Sequence, residues 1–331
     1  MRKSLAAVLG IAAGTLLLSN ARADIWTEAS CTVANLFQLN AGEGHYEAWI
    51  RKDGVMYSLG KFNMDPDAQH MQTIGGVPLD YLAAPGDLTG GDYVMITVEQ
   101  EGDIDAVPSN SKLLAGPIVG STANLLVKDP EAIGKEFGPT LCKGSFHLDS
   151  PSTASATDFY NGIWYYRHSD FTPTLTVPTL PSGWRYEGWV GDACSADPIP
   201  YSTGEYSSAT GADMDGCGGG AGPDPCPEFP GQDFVFQDPE NPNVPYGANI
   251  QLNNGCWQVV HSIEPVPNTG PNPFHSLEPL QLSKILGNPG QYQRVDLNNT
   301  ATLFPMMTVT LVTAAAKPVT WGEIKSLYRA H

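Results

Sequence analysis

Apolar positions along this chain come in short runs with a period of two, broken at short intervals by turn residues. Trp257, Val259, His261 and Ile263 alternate with Gln258, Val260 and Ser262, which predicts a strand with one buried face. Similar segments elsewhere are aromatic and β-branched and are bounded by Gly, Pro, Asn and Asp. They read as antiparallel strands and turns. Lys52-Asp53-Gly54 supplies the Asp-Gly step of a tight hairpin. One helical signal stands apart: Thr320-Trp321-Gly322-Glu323 is a capping box, followed by Ile324, Leu327 and Tyr328 on one helical face.

The strand pattern occurs twice in the same order. Tyr46-Glu47-Ala48-Trp49 precedes Ser58-Leu59-Gly60-Lys61-Phe62, and Tyr186-Glu187-Gly188-Trp189 precedes Ser202-Thr203-Gly204-Glu205-Tyr206. Val94–Glu99 then matches Val259–Glu264. Two copies in one order indicate a tandem duplication of a β-rich unit. The offsets place about four extra residues in the first hairpin of the second copy and 21 in the segment after it. That longer insertion holds the Gly-, Asp- and Cys-rich stretch 211–228. A two-sheet sandwich buries one face of each sheet, so the expected fold is all-β: two tandem antiparallel β-sandwich domains of immunoglobulin-like type with a short C-terminal helix. The expected division is a leader over 1–23, domain 1 over 24–143, domain 2 over 144–313, and a spacer with the helix over 314–331. The joint is expected near Leu148-Asp149-Ser150-Pro151-Ser152-Thr153, a polar stretch carrying no core.

The first 23 residues change the setting. Arg2 and Lys3 precede an apolar run, Leu5 to Leu18, and Ala21-Arg22-Ala23 reads as a cleavage signal, so a secretory leader is expected with the mature chain starting at Asp24. No other segment has the length and apolarity of a membrane span. Losing the leader removes three bases and takes the net charge from −18 to −21. A surface this acidic repels nucleic acid and anionic lipid.

Six cysteines in an exported chain read as three disulfides, with 15 pairings open. The expected set is Cys31–Cys142 across domain 1, Cys217–Cys226 closing a Gly-rich loop, and Cys194–Cys256 by elimination.

The repeated strands, the Val107-Pro108-Ser109 turn with Leu113-Leu114-Ala115-Gly116, and Phe229-Pro230-Gly231-Gln232-Asp233-Phe234 resemble the extracytoplasmic β-domain of the anti-sigma-K factor family. The resemblance spans most of residues 30–312. It implies a pair of such outer domains in a bacterial envelope, secreted or periplasmic, without the sigma-binding segment or membrane helix.

Candidate chemistry is sparse. Asp213-x-Asp215-Gly216, with Asp224, Glu228 and Asp233 following, reads first as a solvated acidic turn and second as a site for a hard cation such as Ca²⁺. The carboxylates Glu47/Glu187 and Glu99/Glu264 recur between copies, which points to a hydrogen bond of the fold or an exposed strand face. His261 occupies the position of Ile96 and reads as a core histidine. Trp164, Tyr165, Tyr166, Trp184 and Trp189 offer either core packing or a platform for a glycan or protein. No nucleophile elbow, P-loop or dinucleotide fingerprint appears. The expected function is therefore non-enzymatic, binding an extracellular or envelope protein or glycan, or presenting structure there. The alternatives are a metal-assisted envelope enzyme using the acidic loop, or a matrix component self-associating through strand edges.

Overall fold

In a computed structural model the protein is described over residues 25–313, apart from 69, 155–156, 197–198, 220, 236–249 and 269. The leader and the capping-box helix lie outside the described residues. Within them the regular secondary structure is almost entirely antiparallel β-strand. The helical elements are two single 3₁₀ turns, Phe159–Asn161 and Ala301–Leu303.

The first sheet has nine strands. They run in the order Met71–Gln72, Val55–Met64, His45–Lys52, Tyr93–Glu99, Lys112–Val119, Thr122–Leu126, Met306–Thr313, Trp26–Ala34 and Leu82–Ala83. The Asp-Gly hairpin forms as expected: Lys52 pairs with Val55, and Asp53 and Gly54 take φ of 53° and 77°. Two successive positive φ values give the turn the twist that right-handed strands need.

The second half holds a five-stranded sheet in the order Pro200–Tyr206, Trp184–Asp192, Trp257–Pro265, Leu280–Leu282 and Asn298–Asn299. A four-stranded sheet accompanies it, in the order Gly231–Asp233, Gly162–Trp164, Ser145–Leu148 and Val295–Asp296. Their apolar faces meet in a shared core, where the Tyr165 ring packs edge-on to His261 with centroids 4.4 Å apart. This is the sheet-on-sheet burial that the alternating pattern demands.

Three expectations about organisation are corrected. Domain 2 does not run to Thr313, because Met306–Thr313 is a strand of the first sheet. It lies between Trp26–Ala34 and Thr122–Leu126, with Leu311 opposite Ala29 and Val309 opposite Ala123. Without it those two strands would each expose an unpaired edge, and its buried Met307, Val309 and Leu311 complete the core beneath them. The stretch 148–153 is not a bare linker either: Leu148, Asp149, Ser150 and Ser152 are all buried. Leu148 ends a strand, and Ser152 donates its N–H and hydroxyl to the buried Asp233 carboxylate. Finally, the Trp257–Pro265 strand is buried on both faces from Val259 onward; on its polar face Ser262 accepts the Trp189 indole N–H and Glu264 the Phe274 N–H.

Candidate functional site

The duplication is visible atom by atom. In each copy the second strand of the hairpin carries one extra residue at the same place, opposite the step from Ala48 to Trp49 and opposite the step from Glu187 to Trp189. Trp49 donates its indole N–H to Thr97 at 2.9 Å, and Trp189 donates to Ser262 at 2.8 Å. Thr97 and Ser262 in turn donate to Glu99 and Glu264. The same carboxylates accept the backbone N–H of Ser109 at 3.0 Å and of Phe274 at 2.8 Å. Ser58 donates to Glu47, and Ser202 to Glu187 at 2.6 Å. The recurring glutamates are thus hydrogen-bonded parts of the fold, buried in both copies. His261 is the expected core histidine: fully buried, its Nδ1 2.8 Å from the Tyr206 hydroxyl, with burial pulling it down to about 3.

The copies diverge at one position beside this network. Lys61 stands opposite Glu47 and approaches Glu47 and Asp103 at 3.8 and 3.3 Å, so an ammonium lies among the first copy's acids. Its counterpart Glu205 stands opposite Glu187 and adds a carboxylate instead. Asn268 bridges these two acids with contacts of 2.9 and 3.1 Å, and Arg185 pairs with Glu205 at 3.0 Å. Burial, reinforced by Glu205 and Asp215, pushes Glu187 up to about 7. Burial, with Glu187 and Glu205 adding to it, pushes Glu264 up to about 8.

Asp213 and Asp215 fold against the same strand. Gly204 has a φ of 92°, and a Cβ there would run into both carboxylates, so only glycine lets the acidic turn lie this close. Asp213 accepts the Gly231 N–H through Oδ2 at 2.8 Å, while its buried Oδ1 has no partner. Burial and then the neighbouring Asp215 raise the Asp213 carboxyl well above the usual range.

The five acids expected to share a cation do not converge. No three of them bring ligand oxygens to metal-site spacing. Asp233 is committed elsewhere: its carboxylate accepts the Trp164 indole N–H at 2.8 Å and the Ser152 N–H at 3.0 Å, while burial lifts it to about 6. Asp224 is held through its backbone N–H by the Ser152 carbonyl at 2.8 Å. The disulfides Cys194–Cys256 and Cys217–Cys226 form as expected, with Cα atoms 5.1 and 5.7 Å apart. Cys31–Cys142 does not, and both are free thiols. Cys31 lies mid-strand opposite Val309, whereas Cys142 is sealed in the core beyond the Gly138 turn.

The aromatic cluster resolves into core. Trp164, Tyr165, Tyr166, Trp184 and Trp189 are all buried, which leaves no exposed platform of those five. One edge of that core is open, however. Tyr166 borders a groove of about 660 Å³, whose walls include His147, Arg167, His168, Tyr292 and Arg294. A second groove of about 520 Å³ shares Tyr166, His168 and Tyr292 with the first. Tyr292 and His168 stack with centroids 3.6 Å apart and form the ridge between them. His147 is buried beneath it, its Nδ1 2.8 Å from the Tyr166 carbonyl, and burial holds its imidazole below the usual range. The carbonyl can only accept, so the proton sits on Nδ1 and Nε2 is left as an acceptor. Sequence reasoning did not find this groove. Its walls come from segments 143–147, 166–176 and 292–297, which no local pattern connects.

No protein-family description, curated protein or solved structure matches this chain.

Proposed function

We propose that this protein is an exported, non-enzymatic β-sandwich module that works by holding a ligand in the paired groove beside Tyr292. The observation that carries this reading is a contrast between its polar sites. Asp215, at the surface, has its proton affinity raised. The other four carboxylates so shifted among the described residues, Glu187, Asp213, Asp233 and Glu264, are buried beneath neighbouring chain and bound into the fold. These four are closed to a substrate. The grooves are open, fall in the size range of ligand sites and carry an exposed aromatic ridge.

Two disulfides fit an oxidising compartment, in keeping with the leader-like first 23 residues. Among the described residues no helix is long and apolar enough to cross a membrane. The likeness of the repeated strands to anti-sigma-K outer domains supports a bacterial envelope setting. The test is native mass spectrometry of the protein purified from its own periplasm or culture supernatant. A retained ligand mass that disappears in Tyr292→Ala is the expected result. A bare protein in both preparations would overturn the binding reading.

A second reading keeps Asp213 and Asp215 for a hard cation such as Ca²⁺, favoured by the unpartnered Asp213 Oδ1. It expects a higher melting temperature in millimolar CaCl₂, abolished by Asp213→Ala. An unchanged melting curve would remove it.

A further inference from the structure

We infer that the paired groove binds an acidic oligosaccharide, with a uronic-acid unit in the larger half; this rests on the binding function proposed above. The first observation is charge. The chain carries a net −18, yet the lining of the larger groove includes Lys143, Arg167 and Arg294 against a single acid, Asp296. The Lys143 side chain has no carboxylate partner among the described residues. Arg167 and Arg294 pair with Asp170 and Asp296 at 3.1 and 2.6 Å, but both arginines are well exposed. Cations gathered in a concave wall of an otherwise acidic protein draw an anionic group to that wall, while the outer surface repels it elsewhere.

The second observation is the shape of the ridge. Tyr292 is 42% exposed and backed by His168, so it offers a rigid ring face. Sugar rings present flat C–H faces that pack on such rings, with their hydroxyls left for polar groups at the sides. Thr174 lines the larger half; its hydroxyl donates to the Ser145 carbonyl and is left able to accept from a sugar hydroxyl.

The third observation is the division into two. The smaller groove, across the ridge, has no lysine or arginine in its wall and carries Asp149 and Gln291. A chain of sugars crossing the ridge would therefore set a carboxylate on the cationic side and a neutral unit on the other. A free inorganic anion uses only one half and has no need of the aromatic ridge.

Isothermal titration with a tetrasaccharide of alternating glucuronic acid and N-acetylglucosamine tests this, with maltotetraose as the neutral probe and sodium phosphate as the bare anion. The expected result is saturable binding of the uronide that weakens with added salt and is at least tenfold tighter than either control. Tyr292→Ala and the double variant Lys143→Gln/Arg294→Gln should each cost tenfold or more, while Lys128→Gln outside the groove changes nothing. All these side chains are exposed, so folding is retained and circular dichroism confirms it. Equal binding of maltotetraose, with the charge variants silent, would overturn the acidic assignment. Phosphate binding as tightly as the uronide would overturn the saccharide. Absence of binding by all three would overturn the inference outright. In the last case a retained non-saccharide mass in the native experiment leaves the binding function standing, and a bare protein removes both.

Discussion

Ser262 serves two partners at once, accepting the Trp189 indole N–H and donating to Glu264. Ser262→Ala leaves both groups buried and short of a partner. The expected loss is about 1–3 kcal/mol in urea unfolding. Thr97→Val, at the matching position of the first copy, should cost a similar amount, because Trp49 and Glu99 lose the same links. Glu264 supplies a pH signature. Its folded-state value is raised from 4.5 to about 8, so between those limits the folded protein holds a proton that the unfolded chain has released. Stability therefore falls as pH rises through that window, by about 1.4 kcal/mol per unit for one full proton, and levels off above it. Glu187 contributes in the same direction between 4.5 and about 7. Glu264→Gln, which stays neutral throughout, should flatten the slope in denaturation series run from acid to mildly alkaline pH. An unchanged slope would show that Glu264 is ionised in the folded state.

At the scale of elements, the two hairpins show what duplication preserves and what it frees. Both keep the bulge and the Ser-Gly contact, at 3.1 Å in each copy, because these aim the buried Glu and Trp. The loops beyond are free to differ: two residues, Asp53 and Gly54, in one, and a longer connection carrying Cys194 in the other. Cys194 is tied to Cys256 across 62 residues, at the start of the neighbouring strand. Replacing both by Ser should cost about 2–4 kcal/mol, seen as a lower denaturation midpoint. Cys31 and Cys142 give a complementary test. Burial pushes both thiols up to about 12, so neither should react in the native protein. Both should appear in a thiol titration once the chain is unfolded without reductant. Finding none would restore the third disulfide.

At the scale of the whole molecule, the last strand decides the architecture. Met306–Thr313 pairs on both sides within the first sheet, and the buried side chains of both halves form one continuous core. The two copies are therefore parts of one interlocked body rather than beads on a linker. Ending the chain after residue 305 should expose the Trp26–Ala34 and Thr122–Leu126 edges together. The expected outcome is aggregation, or loss of hydrogen-exchange protection throughout the first sheet, while the five-stranded sheet keeps its own. A monomeric truncated protein with full protection would show that the strand is dispensable.

The sequence alone determined what local physics controls. Period-two alternation, the Asp-Gly turn and the doubled Tyr-Glu-x-Trp strand are encoded over a few residues each, and they led to antiparallel strands, a hairpin and a duplication that the hydrogen bonds repeat. The Cys217–Cys226 disulfide followed as well, since it closes a nine-residue separation. Cys194–Cys256 is reached only by elimination, and its reason, the pairing of the strands beside it, lies in the tertiary structure. Only the tertiary structure decided the rest. The strand Met306–Thr313 is placed by edges formed some 180 residues or more earlier in the chain, for which it carries no local mark. Asp213 and Asp233 look alike in sequence, yet one meets Asp215 over Gly204 and the other is held by Trp164 and Ser152, because Asp213 lies in a loop packed on Gly204 and Asp233 on the strand Gly231–Asp233. The groove beside Tyr292 exists only where three distant segments end side by side. Concavity and the gathering of charge belong to the packed surface, and no single segment carries them.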